Sequence, residues 1–177
     1  VYRIAGAAAA EIELDTIRIH WLALGGAMRP STDSGVPALV ATGKTAATIH
    51  QIGDWFSGAS TFIVPERRAT RLSDVRLRVG TLLAEDVGIV DGLPTMTVER
   101  TIADLIAAGE DLSLAAGAAS DAVRRGSLTS TRRLALNLGK VARRRGYASG
   151  ASYASDLLEI ARVPVQIGQQ AVAQPED

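Results

Sequence analysis

The spacing of apolar residues predicts a helix near the start of the chain. Apolar side chains recur three or four positions apart over residues 11–24, and a glycine pair follows at 25–26. This spacing places them on one face of an α-helix, and glycine is common just past a helix end. The predicted apolar face comprises Leu14, Ile17, Trp21 and Leu24.

The next apolar segments have the character of β-strands. Residues 60–65 form one such segment, residues 75–80 alternate between aliphatic residues and arginine, and residues 87–90 form a third. The sequence Asp-Gly-Leu-Pro at 91–94 is a turn signal, which we expect to lead the chain from the third strand into a helix. A small sheet is therefore predicted in this part of the chain.

From residue 97 onward the pattern is helical. Thr97 is the predicted N-cap of a helix whose inward face carries Ile102, Leu105 and Ile106. Three further helical stretches follow at 112–126, 129–146 and 150–161. The chain is therefore expected to have an α+β fold, in which a small sheet with flanking helices precedes a helical C-terminal half.

Composition narrows the possible chemistry. The chain has 177 residues, no formal net charge and no cysteine, which excludes disulfides, thiolate metal sites and a cysteine nucleophile. Only two histidines occur, His20 and His50, and no metal site is expected. His20 adjoins Trp21 on the predicted helix, where we expect a boundary or solvated role. No apolar run is long enough to cross a bilayer, so we expect a cytoplasmic protein without a membrane partner.

The tripeptide Gly-Lys-Thr at 43–45 is the ending of a nucleotide-binding phosphate loop, in which lysine reaches the phosphates and the hydroxyl binds magnesium. Such a loop also needs a glycine at position 38, which is Ala38 here. We therefore expect an ordinary helix start, in which Thr42 caps a helix running to about Gln51 and Lys44 points to solvent. Its packed positions are Ala46, Ala47 and Ile49, with His50 near the end.

Two segments follow the patterns of a known family. Residues 42–51 are similar to Ser-His-x-Ser-Ala-Ala-x-Leu-His-Gly, with Gly43 replacing the first histidine and Gln51 the glycine. The agreeing residues are Thr42, Thr45, Ala46, Ala47, Ile49 and His50. A second set of matches lies in residues 91–105: Asp91, Gly92, Pro94, Thr97, Arg100, Thr101, Asp104 and Leu105. The chain thereby resembles the actinobacterial antitoxins of the AbiEi type.

The resemblance extends along most of the chain. Residues 62–80 look like the family's arginine-rich hairpin, 120–129 like one of its helix ends, and 1–6 like the last wing strand of its N-terminal winged helix-turn-helix. It implies an antitoxin domain at 7–168, containing the sheet to about residue 96 and helical from 97, and a frayed tail at 169–177. On this view the chain starts inside a larger bacterial protein, and most of the DNA-reading part lies outside it.

The resemblance implies an antitoxin of a type IV system. Such an antitoxin neutralises the effect of a nucleotidyltransferase-fold toxin without forming a stable complex with it. The toxin is the implied partner, no cofactor is needed, and full-length members also bind promoter DNA to repress their own operon. Arg100 and Asp104 form an i,i+4 pair on the predicted helix. We expect this pair to be scaffold, or to line a functional groove with Arg67 and Arg68.

A second hypothesis is an enzyme, a phosphotransferase that inactivates the toxin covalently with ATP and magnesium. Lys44 would hold phosphates, and Asp91 or Asp104 would bind magnesium or accept the hydroxyl proton. One catalytic event per toxin molecule would explain an action without lasting contact. The sequence lacks a complete kinase motif, so whether the chain is an enzyme is left open.

A third hypothesis rests on a basic run. Eight basic residues and no acidic one lie between positions 124 and 145, namely Arg124, Arg125, Arg132, Arg133, Lys140, Arg143, Arg144 and Arg145. Such a run could bind the phosphates of DNA or tRNA, or an acidic protein surface. The alternative is that it is a solvated helix face without a partner. As a nucleic-acid-binding module it would bind modestly, with salt dependence and without sequence preference, because the recognition helix of a winged helix is not in this chain. No aromatic residue lies between its charges to stack bases.

Overall fold

The computed structural model describes residues 9–27, 35–55 and 58–162, so the predicted wing strand and tail lie outside the described residues. The architecture is α+β, as predicted: one mixed five-stranded sheet and six α-helices. In chain order the elements are α1 (Ala9–Ala23), β1 (Val40–Ala41), α2 (Gly43–His50), β2 (Ser60–Val64), β3 (Val75–Val79), β4 (Val87–Val90), β5 (Leu93–Met96), α3 (Val98–Ala107), α4 (Leu112–Arg124), α5 (Thr131–Ala142) and α6 (Gly150–Arg162).

The sheet has the strand order β3-β2-β1-β5-β4. Its two central pairings differ in direction, since β1 runs antiparallel to β2 and parallel to β5. The outer pairings are β2 with β3, which is parallel, and β4 with β5, which is antiparallel. The central strand β1 is only two residues long, and both are fully buried. The predicted strands at 60–65, 75–80 and 87–90 are confirmed as β2, β3 and β4.

The turn after β4 is a hairpin turn. Asp91 and Gly92 both have positive φ, 48° and 76°, and Val90 pairs with Leu93 across them. These features match a two-residue type I′ turn, whose twist suits an antiparallel hairpin. The expectation that this turn leads straight into a helix was wrong, because the buried strand β5 lies between them. Pro94 argued against a strand in the sequence, yet it pairs with Ile89 within β5.

Helix α1 packs on the sheet through the face that the sequence predicted. Ile17, Trp21 and Leu24 are buried in one cluster with Leu39 and Phe62, while Leu14 packs at its margin. The Trp21 indole N–H also donates to the Leu39 carbonyl at 3.3 Å. These contacts bring α1 close to the start of β2.

The helices α3 to α6 enclose the largest apolar cluster of the described chain. Thr97 caps α3 as predicted, accepting a hydrogen bond from the Arg100 backbone N–H at 3.4 Å, and the three predicted inward residues of α3 are buried. Small residues allow close helix contacts here. A Cβ at Gly150 would lie 2.0 Å from the Ala135 carbonyl oxygen, so the contact between α5 and α6 requires glycine.

Candidate functional site

The Gly-Lys-Thr segment is a helix start. Strand β1 ends at Ala41 and α2 begins at Gly43, so only Thr42 separates them. A phosphate loop surrounds phosphates with the backbone N–H groups of several residues between strand and helix, and this connection is too short to do so. The helix ends at His50, and Gln51 closes it in a left-handed conformation with φ 55°. The predicted extent of α2 is therefore confirmed.

The predicted cap by Thr42 is only half right. Thr42 occupies the N-cap position of α2, but its side chain makes no capping hydrogen bond. Its hydroxyl instead donates to Asp104 Oδ2 at 3.0 Å and lies 3.1 Å from the Met96 sulfur. Because a buried carboxylate is a strong acceptor, the hydroxyl binds across the structure rather than within its own helix.

Asp104 of α3 is the centre of a charged cluster. Arg78 of β3 donates to both of its carboxylate oxygens, Nη1 to Oδ2 at 2.7 Å and Nη2 to Oδ1 at 3.0 Å. This hydrogen bonding with Asp104 raises the pKa of the Arg78 guanidinium above its usual value. Asp104 is 6% exposed, while the Arg78 side chain is 46% exposed, so the pair joins the interior to the surface.

The predicted pairing of Arg100 with Asp104 was wrong. Arg100 faces Asp86, with its Nη1 3.7 Å from Asp86 Oδ2, and its buried Nε has no partner among the described residues. An i,i+4 pair with arginine first is the less favourable order on a helix. The two-pronged bond from Arg78 satisfies both oxygens of Asp104 and therefore prevails.

Lys44 does not point freely to solvent. Its ammonium group lies 2.9 Å from Glu110 Oε1, and it is 5.8 Å from the centroid of the Trp55 ring. An ion pair and a cation–π contact together hold the side chain over the protein surface. Both partners come from segments distant in sequence, Glu110 from the turn after α3 and Trp55 from the segment after α2.

These groups line one cleft, which we call the α2–β3 cleft. Its volume is about 500 Å³, within the roughly 300–1,000 Å³ typical of small-molecule sites. Three cationic side chains and two carboxylates face it, those of Lys44, Arg76, Arg78, Asp104 and Glu110. The other lining residues are Gly43, Gly58, Ala59, Thr61, Leu105 and Ala108. The cleft can therefore bind an anionic group while its own carboxylates fix the cations.

The structure places other predicted residues elsewhere. Arg67 is exposed in the β2–β3 connection, and Arg68 donates to the Leu24 carbonyl at 2.6 Å, which fastens the end of α1. Asp91 lies at the tip of the β4–β5 hairpin, where its carbonyl accepts a hydrogen bond from Arg18 at 3.1 Å. None of these three residues lines the α2–β3 cleft, so the predicted groove with Arg67 and Arg68 is not formed there.

The basic run is divided among three places. Arg124 and Arg125 end α4 and bind Asp121 and Gln51, respectively, while Arg132 and Arg133 begin α5. Arg143, Arg144 and Arg145 follow the other end of α5, about 16 Å away at 1.5 Å per helical residue. Arg133 pairs with Glu85, and Arg145 donates to the Ile106 carbonyl. The run is therefore not a single helix face.

Sequence reasoning missed Arg76, Arg78 and Glu110 as site residues. The alternation in β3 contained the necessary signal, because residues two apart on a strand lie on the same face. The two arginines could thus have been grouped from the sequence. Glu110 carried no local signal, since only the packing of α3 beside α2 brings it to Lys44.

Residues 9–27, 35–55 and 58–162 contain no group of three histidine, aspartate or glutamate side chains placed to hold a metal ion. No helix in these ranges is both long and apolar enough to cross a membrane. Comparison of the chain with protein-family models, curated proteins and solved structures found no match.

Proposed function

We propose that this chain is the neutralising domain of an AbiEi-type antitoxin, and that the α2–β3 cleft is the surface through which it acts on a nucleotidyltransferase-fold toxin in the cytoplasm. One observation carries the proposal: three segments that resemble the family meet at Asp104. Thr42 comes from the first segment, Arg78 from the hairpin segment and Asp104 from the most recognisable one. The three segments match the family in the order of the chain, and their side chains meet in one polar cluster. This supports the proposal that the cluster is a site common to the family.

Backbone geometry gives further support. The family pattern has glycine where this chain has Gln51, and this position adopts a left-handed conformation that glycine enters without strain. The Asp-Gly pair of the second segment occupies a type I′ turn, for which these two residues are preferred. At these two places the family pattern agrees with the backbone conformation.

The charges of the cleft suggest how it would meet the toxin. Arg76 is exposed, and Arg78 and Lys44 are each partly exposed, so their positive charges can attract an acidic or phosphate-bearing surface. Attraction between exposed charges speeds encounter but contributes little to lasting affinity. A short-lived contact of this kind suits an antitoxin that forms no stable complex.

Co-expression with the toxin encoded beside this protein tests the proposal. The wild-type chain should restore growth, whereas Arg76→Glu should fail to do so because it reverses an exposed charge of the cleft. Arg67→Glu is the matched control, an exposed arginine outside the cleft, and it should neutralise like the wild type. Growth arrest that persists with the wild-type chain would refute the antitoxin function. Equal neutralisation by the two variants would refute the role of the cleft.

A second candidate function, phosphotransfer to the toxin, is favoured by one observation. Lys44 and Asp104, two of the three residues in that hypothesis, line the same cleft as Arg76 and Arg78. The cations fit the phosphates of ATP. The fit to magnesium is poorer, because both oxygens of Asp104 already accept hydrogen bonds and Asp91 lies outside the cleft. Mass spectrometry of toxin incubated with this protein, ATP and magnesium should then show an added phosphoryl group, and an unchanged toxin mass would exclude it.

A further inference from the structure

A second polar cluster lies between α1 and the start of β2. The imidazole of His20 is hydrogen-bonded on both sides, with Nδ1 2.8 Å from Ser60 Oγ and Nε2 3.1 Å from Asp74 Oδ2. His20 and Ser60 are buried, whereas the Asp74 side chain is 55% exposed. The boundary or solvated role expected for His20 was therefore wrong, because the docking of α1 on the sheet encloses this side chain.

The positions of the protons follow from the partners. An ionised carboxylate only accepts hydrogen bonds, so the neutral imidazole carries its proton on Nε2 and donates it to Asp74. Nδ1 is then an acceptor, and the Ser60 hydroxyl must donate to it. A serine hydroxyl donating to a histidine that a carboxylate orients is the arrangement that activates a serine nucleophile, here with the two ring nitrogens exchanged relative to the serine protease template.

The arrangement opens on a small cavity of about 90 Å³. Its lining residues are Glu13, Thr16, Ile17, His20, Thr45, Gly58, Ala59, Ser60 and Asp74. Thr45 accepts the Thr61 backbone N–H at 2.8 Å, which leaves its own hydroxyl proton as a donor for a developing oxyanion. The cavity adjoins the α2–β3 cleft, since Gly58 and Ala59 line both.

We propose that Ser60, His20 and Asp74 form a reactive site at which Ser60 is acylated by a small acyl ester, an activity separate from toxin neutralisation. The size of the cavity restricts the acyl group to one of about acetyl size, with the leaving group outside. Ser60 Oγ attacks the carbonyl carbon while His20 Nδ1 takes the hydroxyl proton. The ester C–O bond then breaks, and His20 returns that proton to the departing alcohol. Water then attacks the acyl-serine while His20 Nδ1 takes a proton from it, and His20 returns that proton to Ser60 Oγ as the carboxylic acid leaves.

The test uses p-nitrophenyl acetate as the probe and mass spectrometry of the intact chain and its peptides as the readout. The wild-type chain should gain one acetyl group on Ser60 and release p-nitrophenol in a burst. Ser60→Ala should lose this adduct, whereas Ser127→Ala, which changes a partly buried serine that does not line this cavity, should keep it. Absence of an adduct on Ser60 in the folded wild-type chain would overturn the proposal.

Asp74 is a positioning residue, and a pH profile of acylation tests its role without loss of the fold, because its side chain is largely exposed. The charged groups facing His20 are Asp74, just before β3, and Glu13 of α1, which lines the same cavity. Asp74→Asn should slow acylation at least tenfold and move its rise to lower pH, since the protonated imidazole loses its counter-charge. An unchanged rate and profile would show that Asp74 has no part in the reaction.

Discussion

The helical part from α3 onward and the sheet-containing part before it are stabilised in different ways. The helical part has one large apolar cluster, rich in alanine, in which helices approach closely. The sheet-containing part divides into two smaller apolar clusters. Most of the buried polar residues belong to this part, namely His20, Thr42, Thr45, Ser60, Asp86 and Thr95.

The two parts therefore differ in role, since the helical part mainly supplies apolar packing and the sheet-containing part holds most of the buried polar side chains. Buried polar side chains cost free energy unless they are hydrogen-bonded. Four of those in the sheet-containing part are hydrogen-bonded within the two polar clusters, namely His20, Thr42, Thr45 and Ser60. The helical part contributes Asp104 and Glu110 to the α2–β3 cleft and otherwise mainly supplies packing. Substitutions in the two parts should therefore differ in kind, with large losses of stability in one and mixed losses of stability and activity in the other.

The largest effect is expected from truncating the helical core. Leu138→Ala in α5 removes a fully buried side chain and should lower the free energy of unfolding by about 2–5 kcal/mol, the usual cost of lost burial plus a cavity. Leu136→Ala, on the same helix but 67% exposed, is the control and should change it by less than about 0.5 kcal/mol. Urea denaturation measures both, and similar losses would contradict the burial of Leu138 and the exposure of Leu136.

A smaller loss is expected at the junction of the two parts. Asp104→Ala leaves Arg78 and the buried Thr42 hydroxyl without their acceptor, which should cost about 1–3 kcal/mol of unfolding free energy. It should also abolish neutralisation, because Arg78 of the cleft loses its anchor. Asp156→Ala, an exposed aspartate on α6, should leave both unchanged. An Asp104 variant with native stability and activity would separate this cluster from function.

Two glycine substitutions should change the stability of the protein in opposite directions. Gly43 has φ 57°, so Gly43→Ala should destabilise the protein by about 1–2 kcal/mol through backbone strain alone, its new Cβ making only ordinary contact with Asp104. Gly117 lies inside α4 with open space around it, and Gly117→Ala should stabilise by about 0.5–1 kcal/mol. Thermal unfolding of both variants measures the two effects. Shifts of the melting temperature in the same direction would contradict the positive φ of Gly43.

The smallest effect is a pH dependence at His50, whose Nε2 lies 2.7 Å from the Met96 carbonyl. Burial lowers the pKa of this imidazole below the usual 6.5, although the hydrogen bond to Met96 opposes the shift. The unfolded chain then binds the proton more readily than the folded one, so stability should fall as the pH drops below about 6.5 and level off below the folded-state pKa. His50→Gln should flatten this part of the stability profile, and an identical profile would show that His50 is not the group responsible.

Much of the fold was available in the sequence because it rests on local periodicity. The apolar faces of α1 and α3, the alternation of β3 and the cap at Thr97 each depend on residues a few positions apart. Strand β5 was missed for a local reason as well, since a proline within four residues opposed a strand. Its pairing with β1 and β4 outweighed that preference.

The sequence by itself determined the α+β class, the order of most elements and the helix start at Gly43. Only the tertiary structure decided which charges pair. Asp104 pairs with Arg78 and not with Arg100 of its own helix, and Lys44 pairs with Glu110. His20 lies between Ser60 and Asp74 and is hydrogen-bonded to both. Periodicity identifies the buried face of an element, but a hydrogen bond depends on distances between elements. Those distances are set by the packing of α1, α2 and α3 around the sheet, which no local pattern encodes.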